Sequence, residues 1–384
     1  MIADDHRDSA ARRTFSATAR LLSALKLDGP LLVGLGLLAI YALIVQYSAS
    51  GQDIHTIFRT LMRLALGGMA MILLAHTNPN FLRSLAPWLY GSGIVLLLVV
   101  YAIGMVGKGA QRWLQVGGAH FQPAEIMKLG VPMMCAWLLH ERPLPPRPLI
   151  IVLLAVLVLV PVALVALQPD LGTALLIGAS GMLLILLSGL RVRVILPALV
   201  LGIVSIWFVA DFKRCTHVFH AYQCSRVQTL IDPSTDRLGK GYHAIQSAIA
   251  IGSGGLFGKG WMNGSQAQLE FLPERSTDFI MAVIGEEFGL LGLIVLMVLY
   301  LFIVSRSVYL ASQTSGTFAR LLALTLALTF FVYVFINASM VVGLLPVVGV
   351  PLPLVSYGGT SVVTLLAGFG ILMGLHSHRK LVNS

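Results

Sequence analysis

The chain has 384 residues, 57% of them hydrophobic and only 11% charged, with a mean hydropathy of +0.87. A soluble globule carries about 25% charged residues, so the composition excludes a water-soluble fold and implies a polytopic membrane protein. The excess of 26 Lys+Arg over 16 Asp+Glu is no nucleic-acid signature, because the basic residues gather at the ends of apolar runs.

Residues 1–29 are polar and read as a cytoplasmic tail. Its 17–27 stretch fits either a basic amphipathic surface helix or a disordered segment. No cleavable signal peptide is expected, since the first apolar run is of full length and reads as a signal anchor. Residues 30–384 form one predicted membrane domain with ten spans, at 30–49, 58–76, 86–106, 122–140, 148–167, 171–189, 194–211, 277–304, 320–342 and 357–375. Each is near the ~20 residues a helix needs to cross a bilayer. Thirteen Lys/Arg, including Arg83, Arg142, Arg147, Arg191, Arg193, Arg306, Arg379 and Lys380, fall on one side, and the short loops opposite hold only Lys108 and Arg112. The positive-inside rule then puts both termini in the cytoplasm and the long 212–276 loop outside. The expected fold class is an all-α polytopic membrane protein of about ten transmembrane helices with one large extracytoplasmic loop. That loop is rich in glycine yet holds an apolar 245–251 stretch, so it is expected to fold back as short helices over the outer face.

Several polar residues fall where a membrane chain tolerates them least. The stretches Phe121-Gln122-Pro123-Ala124-Glu125 and Leu167-Gln168-Pro169-Asp170 each predict a proline at the first helical position with an acid beside it, a capping arrangement. Glu125 and Lys128 are three apart and share a helix face; they form either a structural brace or a device that presents Lys128 to an anionic headgroup. Arg112 suits bidentate phosphate recognition or snorkelling at the interface. In Phe271-Leu-Pro-Glu-Arg-Ser-Thr-Asp278, the residues Ser276 and Thr277 predict a helix start with Asp278 in its first turn. There it is either a capping carboxylate or a general base facing an outer cavity. Glu286 falls about 80° from Asp278 around the helix and Glu287 about opposite, so the three cannot all face one cavity and one glutamate is expected to be structural. The cluster Cys215, His217, His220 and Cys224 fits a disulfide outside the cytoplasm better than zinc, with free thiols as a third reading. Cys135 reads as a buried apolar residue. Between Asn337 and Ser361, prolines and glycines break an apolar run, which is tolerated at membrane depth only inside protein or along a cavity.

Taken together, these stretches resemble the SEDS family (shape, elongation, division and sporulation). The resemblance is carried by Arg112-Trp113, by 121–128, by Gln168-Pro-Asp170-Leu-Gly-Thr173, by FLPERSTDFIMAVIGEEFG at 271–289 and by Asn337–Ser361 with its SYGGTS ending. It covers nearly the whole chain beyond the first ~25 residues. The run 246–255, Gly258-Lys-Gly-Trp261 and the His376–Lys380 ending are similar to the elongation branch rather than the division branch. The resemblance implies a bacterial cytoplasmic (inner) membrane enzyme that polymerises lipid II into peptidoglycan glycan strands for elongation and rod shape. The acceptor GlcNAc 4-hydroxyl attacks the donor MurNAc anomeric carbon, undecaprenyl pyrophosphate leaves, and the configuration inverts. Asp278 matches the family's essential aspartate and is the implied base. Arg112 and Lys128 would hold diphosphate charge, with a divalent cation (Mg²⁺ or Mn²⁺) as a companion and no organic cofactor. Glu125 and Asp170 would orient Lys128 or line the cavity; Glu286, Glu287, Ser356, Gly358 and Gly359 would have structural or secondary roles. The implied partner is a class B penicillin-binding protein, a transpeptidase. Two rival readings are a lipid II flippase or other lipid transporter, leaning on Glu125, Glu286 and Glu287 at depth, and a scaffold that only recruits the transpeptidase.

Overall fold

The computed structural model describes residues 25–107, 110–116, 119–190, 240–269, 271–272 and 274–378. Residues 1–24, the predicted 194–211 span, Lys108, Arg191, Arg193, the Cys215/His217/His220/Cys224 cluster, Arg379 and Lys380 lie outside the described residues.

In chain order the helices are α1 (Gly29–Ala49), α2 (Ile54–Ala75), α3 (Pro79–Ile103), α4 (Ala124–Leu139), α5 (Pro148–Leu167), α6 (Leu171–Leu187), α7 (Lys240–Gly254), α8 (Ser265–Gln268), α9 (Ile280–Ser312), α10 (Thr317–Val341) and α11 (Ser361–Ser377). Six of them, α1, α2, α3, α5, α9 and α10, are long and apolar enough to cross a membrane, and α6 and α11 are shorter apolar helices. This is the architecture of a multi-pass membrane protein. Local chemistry sets the ends. Asn78 caps α3 by accepting from the Asn80 amide, and Pro79 follows at the first helical position, so α3 begins seven residues before the expected 86. Asp28 caps α1 in the same way through the Leu31 amide at 3.0 Å.

The all-α expectation needs one correction. Strands β1 (Met105–Gly107), β2 (Ala110–Val116) and β3 (Ala119–Phe121) form a small antiparallel sheet in the order β1-β2-β3. Its register pairs Met105 with Trp113 and Leu114 with Phe121. Strands of three to seven residues are too short to stand out beside twenty-residue apolar runs.

Polar ties bracket the α1–α9 pair at both ends. At one end the Arg306 guanidinium donates twice to the Asp28 carboxylate, at 2.9 and 2.7 Å. At the other, the Ser48 hydroxyl donates to Glu287. Asp28 to Ser48 rises about 30 Å at 1.5 Å per residue, and Glu287 to Arg306 about 28 Å, close to the ~30 Å hydrocarbon thickness. Elsewhere the helices approach through glycine. Against α2, a Cβ on Gly370 of α11 would lie 2.3 Å from the Met71 carbonyl oxygen, and one on Gly374 would lie 2.8 Å from that of Ala75. This is the small-xxx-small contact of membrane helices.

The start of α9 is opened at Gly289, whose φ of 66° and ψ of −159° are non-helical. Opened backbone needs partners, and the glycine-rich turn after α7 supplies them. Lys259 and Gly260 amides donate to the Glu286 and Glu287 carbonyls, both at 3.0 Å, while the Leu290 amide donates to Gly255 O at 2.9 Å. A Cβ at Gly258 would meet Glu287 O at 2.2 Å, so only glycine permits this approach. Residues 240–269 thus run alongside α9 at the level of Ser48, as the short helices α7 and α8 joined by the glycine-rich turn.

Candidate active site

A cavity of about 440 Å³ opens where the N-termini of α4 and α6, strand β2, the 274–279 turn and the broken 347–361 segment converge. Arg112, Glu125, Lys128, Asp170, Asp278, Gly358 and Gly359 all line it. Seven residues spread over almost 250 positions of sequence therefore share one wall system.

Each acid arrives by a separate local device. Asp170 caps α6, accepting from the Thr173 amide at 3.3 Å. Its carboxylate also accepts from Gln122 Nε2 at 2.8 Å and lies 3.5 Å from Arg112 Nη1. Pro169 precedes the cap instead of starting the helix, contrary to the sequence expectation, because the Asp170 side chain takes the capping role. Glu125 lies in the first turn of α4, with Oε1 accepting from Lys128 Nζ at 2.6 Å. Both members of that pair are buried, and Lys128 also lies 5.1 Å from the Tyr333 ring centroid. Among the described residues, Arg112 Nε and Glu125 Oε2 at the cavity meet no hydrogen-bond partner. A buried ion pair retains such atoms at a cost unless something else meets them.

Asp278 sits in the 274–279 turn, two residues before α9 begins. It is not in the first helical turn, which corrects the capping expectation: Phe279 occupies the cap position and makes no side-chain cap bond. The turn is clipped to the broken segment instead. Asn337 Nδ2 on α10 donates to Asp278 O at 2.9 Å and to Val350 O at 2.7 Å. Ser356 Oγ donates to Thr277 O and accepts from the Leu352 amide at 2.8 Å. The Tyr357 amide donates to Ser276 O at 2.8 Å. Gly349, at φ 77°, faces the carboxylate: a Cβ there would lie 3.4 Å from Asp278 Oδ2.

Glu286 and Glu287 do not line the cavity. Glu286 accepts from Lys259 Nζ at 2.6 Å, Ser265 Oγ at 3.1 Å and the Gln266 amide at 3.0 Å, fastening α8 and its preceding turn to α9. Glu287 meets Ser48. Ser356 braces the wall rather than facing the cavity, and Cys135 is a buried free thiol. Sequence reasoning assigned no role to Asn337, Gln122 or Arg63. Arg63 on α2 donates to Gly358 O at 3.2 Å and the Tyr357 hydroxyl at 3.1 Å, holding the SYGG turn. Gln122 and Asn337 lie in stretches that carry the family resemblance, and the signal for Arg63 is a guanidinium inside an apolar run.

The FtsW/RodA/SpoVE cell cycle protein family matches residues 24–381. The chain is 48% identical over 360 residues to the peptidoglycan glycosyltransferase MrdB of Escherichia coli K12, covering 93% of this chain and 95% of that one. It is 34% identical over 366 residues to the probable peptidoglycan glycosyltransferase FtsW of Geobacter metallireducens, covering 89% and 92%. In three dimensions it resembles a chain of a peptidoglycan synthase complex that coordinates polymerization and crosslinking, with a TM-score of 0.78 at 32% identity over 92% of this chain and 98% of that one. The rod shape determining protein RodA of Thermus thermophilus matches with a TM-score of 0.69 at 29% identity, covering 92% and 97%. The chain belongs to the FtsW/RodA/SpoVE family, the SEDS proteins.

Proposed function

We propose that the chain polymerises lipid II into glycan strands for cell elongation, with Asp278 as the general base. It is a peptidoglycan glycosyltransferase, the activity of its MrdB relatives. The observation that carries the residue assignment is the gathering of Asp278, Arg112 and Lys128 around one cavity.

In this reading the acceptor 4-hydroxyl gives its proton to the Asp278 carboxylate as its oxygen attacks the anomeric carbon. The bond from that carbon to the diphosphate oxygen breaks, and undecaprenyl diphosphate leaves with the electron pair. One displacement inverts α to β. Arg112, with its unpartnered Nε, and Lys128 stabilise the charge that grows on the leaving diphosphate. Asp170 aims Arg112, and Glu125 aims Lys128. The reading keeps ten spans with both termini in the cytoplasm of a bacterial inner membrane, and the α1–α9 ties support a bilayer-length crossing for that pair. On that frame Asp28–Arg306 marks the inner edge, Ser48–Glu287 the outer edge, and Asp278 lies on the outer side, where lipid II presents its sugars.

Among the described residues no group of three or more His, Cys, Asp or Glu is placed to hold a metal ion. The proposal admits Mg²⁺ or Mn²⁺ only as a companion of the substrate's diphosphate, a setting in which Mg²⁺ keeps several waters. The proposed partner is a class B penicillin-binding protein, in keeping with the synthase complex to which the chain is similar.

The test is a lipid II polymerisation gel with purified protein, partner and Mg²⁺, comparing wild type with Lys128→Met and Lys128→Arg. Loss of a charge-assisted bond predicts a fall of roughly 10–100-fold for Lys128→Met, with Lys128→Arg partly active. An undiminished ladder from Lys128→Met removes its assigned role. No ladder from wild type, where a control polymerase works, favours lipid transport or scaffolding.

A further inference from the structure

Charge is divided unevenly around the outer cavity. Among the described residues its Lys and Arg side chains are Arg112 and Lys128, which come from β2 and α4. Another part of the wall is built by the start of α7 and the 274–279 turn. It brings His243 and Glu274 to the cavity together with Asp278, and contributes no Lys or Arg to the lining. A wall with two carboxylates repels a diphosphate, while carboxylates accept readily from hydroxyl groups.

His243 and Glu274 are fixed by the same residues that fix Asp278. The Glu274 carbonyl accepts from the Thr277 amide at 3.1 Å and from the Phe279 amide at 3.3 Å, closing the turn around Asp278. Its carboxylate accepts from the Thr277 hydroxyl at 2.7 Å. Glu274 does this at φ 58°, a left-handed conformation that residues with a side chain rarely adopt and that gathers at functional sites. It is exposed and lines the cavity. A carboxylate accepts up to about four hydrogen bonds, so it can hold the turn and meet a ligand at once. His243 lies in the first turn of α7. Its ring packs on Phe279, with centroids 5.8 Å apart and planes at 35°, and Phe279 is itself buried. The imidazole plane is thereby set by the residue that follows Asp278.

We propose that His243 and Glu274 are the acceptor-side contacts of the cavity, specificity-determining residues that hydrogen-bond the sugar hydroxyls flanking the one that attacks. The inference rests on the reading of Asp278 as the base. A base must reach the hydroxyl whose proton it takes, so the acceptor sugar lies against the wall that carries Asp278. On a GlcNAc ring the groups beside the 4-hydroxyl are the 3- and 6-hydroxyls, and Glu274 and His243 are the side chains of that wall that can accept from them or donate to them. A bond from a hydroxyl to a carboxylate is charge-assisted, and a site built to bond a hydroxyl discriminates strongly against an analogue that lacks it. The donor takes the other side, where Arg112 and Lys128 suit its diphosphate.

The test couples two one-way substrates with the full-length protein, its proposed partner and Mg²⁺. A lipid II analogue with a 4-deoxy terminal sugar can only donate. An analogue whose anomeric oxygen is replaced by methylene can only accept. The pair gives a single product, and each KM is measured separately. Glu274→Gln keeps an oxygen for Thr277 and loses the charge; His243→Phe keeps the ring on Phe279 and loses both nitrogens. Each is expected to raise the KM for the acceptor analogue about 10-fold, with the donor KM and the melting temperature unchanged, whereas Lys128→Met should leave the acceptor KM unchanged. A residue that only holds the turn would show a wild-type KM in Glu274→Gln, since the bond from Thr277 survives. A wild-type acceptor KM in both variants, or an equal rise in the two KM values, overturns the assignment. Asp278→Asn separates this outcome from the base reading: product at the wild-type rate removes the base, while the KM contrast in Glu274→Gln and His243→Phe decides the acceptor wall by itself.

Discussion

Replacing Asn337 by leucine should disable polymerisation without touching any group that contacts substrate. The amide donates to two carbonyls on adjoining segments of the cavity wall, Asp278 O at 2.9 Å and Val350 O at 2.7 Å, and the residue is fully buried. Each bond contributes about 1 kcal/mol net, and each carbonyl left bare inside protein costs about 1–3 kcal/mol. The Asp278 end is only partly buried, so water offsets some of that loss, and the sum is roughly 2–5 kcal/mol. The catalytic consequence is larger than the stability figure suggests, because the clip fixes the backbone of Asp278 itself. A displacement of about 1 Å at a reacting group can cost about 100-fold in rate. Asn337→Asp is isosteric but turns its oxygens towards the two carbonyls, and it should be at least as damaging. The assays are the lipid II gel for turnover and thermal unfolding in detergent for stability. Wild-type turnover and an unchanged melting temperature in Asn337→Leu would refute the positioning argument.

Further perturbations probe separate parts of the structure. Gly370→Ala would force a Cβ to within 2.3 Å of Met71 O, against backbone that cannot yield; a loss of about 1–3 kcal/mol is expected. Gly68→Ala, with nothing within 4 Å of its Cβ, is the control, and both are read by thermal unfolding. Asp170→Ala should cost about 1 kcal/mol through the lost α6 cap and raise the KM for lipid II through the loosened Arg112. Asp170→Asn keeps the cap, so it should separate the two effects. For Asp28, burial pushes the carboxyl up, but the hydrogen bonds from Arg306 and the Leu31 amide and the Arg306 charge outweigh it and hold the pKa below the ordinary value. Its stabilising contribution is therefore complete above the unfolded value of about 3.9 and is lost as pH falls through the lower folded value. Asp28→Asn should flatten the pH dependence of stability below about pH 4, measured by unfolding across an acid series; equal slopes in both proteins would contradict it.

Much of this molecule is legible in its sequence for a simple reason: hydropathy in twenty-residue blocks is imposed by the bilayer. Helices α1, α5 and α6 begin within a residue of their predicted starts, and the broken 342–360 segment lies along a cavity, as irregular backbone at membrane depth must. The residues that line the cavity were also among those singled out, because a charge in an apolar run is rarely incidental. What escaped detection depends on long-range contact. The α9 start moved because Phe279, not Ser276 or Thr277, holds the cap position. The 240–269 segment packs against α9 because Gly289 opens backbone that the glycine-rich turn reaches. Asn337 resembles any single amide in a helix until its two carbonyl partners, one 59 residues away, are brought to it by the fold. The β1–β3 sheet was hidden by its length.

The most direct test of the central claim is glycan polymerisation by Asp278→Asn beside the wild type. Both would be purified with the proposed class B partner, supplied with lipid II and Mg²⁺ with the transpeptidase blocked, and resolved on a gel. Asparagine preserves the shape of the side chain and its neighbours at Gly349, but it cannot take a proton from the acceptor hydroxyl. Long strands are expected from the wild type and none from Asp278→Asn, with melting temperature and partner binding unchanged. Equal ladders from the two proteins would contradict it.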